Sequence, residues 1–153
     1  MRDPTATLSA VLPKIRTLMA DELVRVDEEI AAVEAALSEA GCQVAVWVHL
    51  AEDTPVAPPT PAGGLRVHVA RLEIGWDHVG QDPDTWALCR RRSVIAVGDI
   101  EQVLEEGTAD PLCAASVDER VLGARRIPAL LGALDQELNR LIAHAQGKLE
   151  PML

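Results

Sequence analysis

Aromatic side chains are nearly missing from this sequence. It has three Trp and no Phe or Tyr, 2% in all. With no other ring to fill a core, one or two of Trp47, Trp76 and Trp86 are expected to be buried between layers of secondary structure. Cysteine is also scarce. Cys42, Cys89 and Cys113 are an odd number, far apart in sequence, with no CxxC. This excludes a disulfide framework and makes a reducing cytoplasm the expected setting. Lysine occurs only at Lys14 and Lys148, while Ala and Arg are common, a pattern of GC-rich bacterial or phage genomes. No apolar run reaches the roughly 20 residues of a membrane span; the longest candidate, Ala40 to Ala51, is too short. The start, Met1-Arg2-Asp3-Pro4, leads into a charged amphipathic stretch, so no signal peptide is read there. Walker loops, GxGxxG, GxSxG and HExxH are all missing, which lowers the standing of nucleotide and hydrolase chemistry.

What is present is acidic and apolar. Fourteen basic against 24 acidic residues give a formal charge of −10 over 153 residues. Such a balance repels a phosphate backbone, so direct nucleic-acid binding is not expected. A hydrophobic content of 48% with 25% charged residues excludes global disorder. The length suits a single domain, 1–153, with a core able to fold without staples.

Residues 5–39 carry the clearest periodicity. Leu8, Leu12, Ile15, Met19, Leu23, Val26, Ile30, Val33 and Leu37 recur every three or four positions, the stripe of an amphipathic helix or a coiled-coil-like seam. Pro13 fits either the first turn of a helix capped near Ser9 or a kink in a longer one. Gly41 stops the helix. Residues 43–50 alternate as a strand, with Val44, Val46, Val48 and Leu50 on one face and Trp47 and His49 on the other. Residues 52–64, rich in proline, read as a loop. A second strand spans 65–76, where the apolar phase slips and predicts a β-bulge near Ala70-Arg71. A third spans 86–97. Residues 99–106 read as a short helix ended by Gly107. Ser116 to Glu119 match a capping box that opens a helix over about 117–146, kinked or split at Pro128. The fold expected is α+β: a three-stranded antiparallel meander packed with a long N-terminal helix and a kinked C-terminal helix.

Four groups of residues bear chemistry. His49, His68 and Cys89 can share one sheet face by strand parity. Imidazole and thiol together suit zinc or a nucleophile–base pair, although no fourth ligand is evident and half-exposed strand residues look the same in sequence. Asp77, His78, Asp82 and Asp84 crowd one turn; carboxylates there suit a hard cation, but turns favour Asp in any case. Arg90-Arg91-Arg92, the only basic run, suits a phosphate or an acidic partner, or ion pairs with acidic helix faces. Trp47 beside Arg66 and Arg91 forms an interface anchor if its face is open, and part of the core if a helix covers it.

The helices supply the remaining signal. A helix of about 30 residues is about 45 Å long, against about 15 Å for the width of three strands. Leu12, Met19 and Val26 on the first stripe therefore need cover from the second helix, a second copy or another protein. The function expected is a non-enzymatic interaction module: a small acidic adaptor, chaperone or inhibitor, cytoplasmic, with no cofactor, binding another protein or itself as a homodimer. Two alternatives stand beside it, a metal- or thiol-dependent enzyme on His49, His68 and Cys89, and an acidic mimic of nucleic acid.

Overall fold

The computed structural model describes residues 3–56 and 67–149. Helix α1 spans Pro4–Glu39. Strands β1 (Val46–His49), β2 (Thr54–Pro55), β3 (Val67–His78), β4 (Trp86–Val97), β5 (Gln102–Glu105) and β6 (Asp110–Pro111) follow. A 3-10 turn at Leu112–Ala114 leads into helix α2, Val117–Leu149. The α+β class with two long helices and an antiparallel sheet is as the sequence predicts.

Local chemistry sets the ends of α1. The Asp3 carboxylate accepts from the Thr5 N–H at 3.0 Å with Pro4 at the first helical position, so the helix starts well before the predicted cap at Ser9. Pro13 then sits inside the helix. At the other end Gly41 takes φ +68°. Its N–H reaches Ser38 O, and that of Cys42 reaches Leu37 O, the paired reverse bonds that close a helix through a left-handed residue. In α2 the Ser116 hydroxyl accepts from the Glu119 N–H at 3.2 Å, as the capping box predicts. The Glu119 carboxylate instead pairs with Arg90 at 2.9 Å. Helix α2 continues through Pro128 without being split.

The sheet has six strands rather than three, in the order β1-β3-β4-β5, with β2 against β3 and β6 against β4, and every pairing is antiparallel. Two expectations fail here. Residues 99–106 contain strand β5, not a helix; eight residues cannot nucleate a helix without a face to bury, and the edge of β4 offers Val94 to Ala96 as partners. The bulge near Ala70-Arg71 is also missing. Strands β3 and β4 pair without a break from Val67↔Val97 to His78↔Trp86, and the irregularity lies between Val94 and Ile95 opposite β5. The phase slip in β3 arises because apolar residues occupy both of its faces.

Both helices cover the face bearing Val46, Ile74, Trp76 and Leu88. These pack with Val26 and Ile30 of α1, and with Ala124, Ile127, Leu130 and Leu134 of α2. A Cβ on Gly123 of α2 would meet Leu112 and Ile74, which fixes how closely α2 lies on that face. Trp76 is fully buried, with its indole N–H donating to Cys42 O at 3.0 Å. Arg120 donates to both carboxylate oxygens of Asp27 at 2.9 Å and ties the helices together.

Candidate interaction surface

The sheet face turned away from the helices carries Trp47 and His49. Trp47 stands opposite Gly75, which stands opposite Cys89 on β4. A Cβ on Gly75 would overlap the indole ring, so the ring lies directly over the glycine. The Arg91 guanidinium stacks 3.9 Å from the ring centroid, and the indole N–H donates to Asp77 at 3.1 Å. Arg91 also donates to Glu73 at 3.0 Å and reaches Glu106 at 3.4 Å. Arg71 binds Asp53 at 2.8 Å and Glu101 at 3.0 Å. Its guanidinium holds both carboxyls below the usual carboxylate range. Trp47 is thus half-buried in a charged network rather than standing free as an anchor.

The predicted constellations separate in space. His49 pairs across from Glu73, and His68 from Ala96 at the other end of β3. By alternation His68 falls on the helix side, while His49 and Cys89 share the opposite side. Nothing therefore gathers His49, His68 and Cys89. Cys89 is fully buried, and burial, reinforced by the carboxylates of Asp77, Glu34 and Asp110, pushes its thiol up to about 12, so it is protonated at neutral pH. His49 lies 3.4 Å from Asp53 beside an open depression of about 500 Å³ that Arg126 also lines. Asp82 accepts from the Asp84 N–H and the Thr85 hydroxyl, which lowers its pKa, and Asp77 accepts from the His78 N–H; these carboxylates brace their turn. Among the described residues, no group of three or more His, Cys, Asp or Glu is placed to hold a metal ion. The three arginines alternate between faces. Arg90 pairs with Glu119 and Asp110, Arg91 lies on Trp47, and Arg92 is exposed without an ion pair among the described residues. Arg66 lies outside the described residues.

The helices present a different surface. Within α1 only Val26 and Ile30 are buried. Val26, grouped with Leu12 and Met19 by periodicity, is a core residue. Before it, Leu8, Val11, Leu12, Ile15, Leu18, Met19 and Val24 are exposed, from 39% at Leu12 to 69% at Leu18. A single exposed leucine is ordinary, but six of these, Leu8 to Met19, share one face along about three turns and form a continuous seam, while Val24 lies on the opposite side of the helix. Where the seam nears α2, Met19, Leu23, Val117, Val121 and Leu122 line an apolar cleft of about 480 Å³, with Glu22, Asp118 and Arg125 among its walls. The end of α2 also exposes Leu138, Leu141 and Ile142. Strand β5 exposes Val103 and Leu104, with Ile100 just before it; the expected helix over 99–106 concealed this edge from sequence reasoning. Among the described residues no helix is long and apolar enough to cross a membrane. No protein-family model, no curated protein and no solved structure matches the chain.

Proposed function

We propose that the protein is a non-enzymatic interaction module, a small acidic adaptor, chaperone or inhibitor that binds protein through the apolar seam of α1. The observation that carries this reading is the uncovered first half of that helix, with six large apolar side chains facing solvent. Water penalises such a surface by about 25 cal/mol per Å² of apolar area, so covering it is favourable. The charged groups of the outer sheet face support the reading from the other side. Their arginines are already paired with carboxylates of the same chain, which leaves them little to offer a ligand. The module is taken as cytoplasmic, a setting in which its three free cysteines persist as thiols.

The test places a photo-crosslinking residue at Leu12 or Met19 in the native host, with exposed Asp99 as the control position. The seam positions are expected to give a discrete adduct with one protein species, and the control none. Identical patterns at seam and control would overturn the reading.

A further inference from the structure

We infer that the occupant of the α1 seam is the same seam of a second copy, lying antiparallel and crossing near Leu18. This rests on the interaction-module reading and names its partner. Three observations lead to it. The first is periodicity. Leu8, Leu12, Ile15 and Met19 are spaced by four, three and four, which matches the knobs of another helix and not the two-residue repeat of a strand.

The second is the state of the uncovered helix. Residues 4–24 extend about 30 Å, and Pro13 within them has no N–H to give to the turn before it. The Thr17 hydroxyl donates back to Pro13 O at 3.0 Å, a local bond that does not replace the missing one. A helical stretch of this length with an internal proline takes most of its stability from packing, and the described residues supply none along Leu8, Val11, Leu12 and Ile15.

The third is charge. Lys14 and Arg16 precede Asp21 and Glu22 on this stretch. Lys14, Arg16 and Asp21 make no ion pair among the described residues, and Glu22 meets only the neighbouring Arg25. A parallel pair would place like charges side by side. An antiparallel pair with its midpoint at Leu18 sets Lys14 level with Glu22 of the other copy, on the same flank of the seam. The two-fold axis repeats the contact. In the same register Leu12 comes level with the turn that carries Leu23, which lines the apolar cleft with Met19, Val117 and Val121, and Asp118 adds to the acidic end. The geometry is self-complementary in both apolar and charged groups.

Sedimentation of the full chain at 5–100 µM tests this. The expected species has twice the 16.4 kDa chain mass. Leu12→Glu should yield a monomer that loses part of the far-UV helical signal of α1 while the near-UV signal of the buried Trp76 is unchanged. Two charge-reversed chains make the orientation testable: one carries Lys14→Glu, the other Glu22→Lys. Each alone should dissociate about tenfold more readily or worse, and an equimolar mixture should recover wild-type association as a heterodimer. A parallel pair would show no loss in the single variants. A wild-type monomer over the whole range, or a dimer indifferent to the reversals, would overturn the inference. If the seam crosslinks to a different protein while the chain sediments as a monomer, the inference falls and the interaction-module reading stands. If no seam adduct forms, that reading falls as well.

Discussion

Gly75→Ala is the most informative single change outside the seam. Position 75 lies in the middle of β3, where alanine ordinarily gains about 0.5–1 kcal/mol over glycine. Here the added methyl would occupy the volume of the Trp47 indole. The ring must leave, and two interactions leave with it. The indole N–H bond to the Asp77 carboxylate, 3.1 Å and part-buried, is worth about 1.5–3 kcal/mol as a bond to a charged acceptor. The Arg91 stack at 3.9 Å contributes about 0.5–1 kcal/mol. After the intrinsic gain of alanine is subtracted, the net cost is about 2 kcal/mol, a fall in Tm of about 4–8 °C for a chain of this size. Urea unfolding followed by circular dichroism measures it. The decisive comparison is the same substitution in a Trp47→Ala background, where the obstruction is gone. There Gly75→Ala should be neutral or stabilising, giving a coupling energy of about 2–3 kcal/mol across the cycle. An equal cost in both backgrounds, or a stabilised single variant, would refute the stacking of Trp47 on Gly75.

Glu34→Gln should raise Tm at pH 7. Burial raises the Glu34 carboxyl pKa, so the folded state favours the protonated form; that contribution is complete below the unfolded pKa of about 4.3 and is lost as pH rises through the raised folded value. The gain in Tm should shrink at pH 4, and equal gains at both pH values would contradict the sign. Native alkylation with iodoacetamide should label exposed Cys113 and spare Cys89, which has no exposed surface and a thiol pushed up to about 12. Mass spectrometry after a short pulse reads both sites, and early modification of Cys89 would show that β4 opens readily.

The helices were legible because their signals are local and repeated. The seam from Leu8 to Leu37 and the Ser116 cap each follow from spacing alone. Strands β3 and β4 were legible for the same reason, but the faces of the sheet were not. Trp47 and Val46 differ only in parity, and parity does not say which side a helix will cover; the contact of Gly123 with Ile74 decides it. The bulge misread near Ala70-Arg71 has the same origin. Val69 and Ile74 are buried on opposite sides of a sheet that conceals apolar groups on both. Strand β5 was hidden because its partners at Val94 to Ala96 lie on another element, and a window over 99–106 contains no trace of them. The grouping of His49, His68 and Cys89 depended on register across residues 52–64. The pairing of His49 with Glu73, five positions from His68, separates two of its members along β3.

The polar and apolar parts of the surface stand in opposite states, and this locates the binding energy. Arg71, Arg90, Arg91 and Arg120 are each matched by one or two carboxylates of the same chain. Exposed or half-exposed pairs of this kind contribute little when rearranged. The α1 seam cannot satisfy itself in that way. Its six side chains are about half exposed, and completing their burial at ~2 kcal/mol for a whole side chain amounts to about 6 kcal/mol. Association costs about 4–15 kcal/mol in lost freedom and ordering, so the seam alone, laid on a polar surface, yields marginal binding at best. Under the proposed function, an occupant needs a comparable apolar stripe of its own. A second copy doubles the gain to about 12 kcal/mol, which exceeds the lower part of that cost. On these energetics a helix with its own apolar seam is a suitable occupant of α1, and a hydrophilic peptide is not.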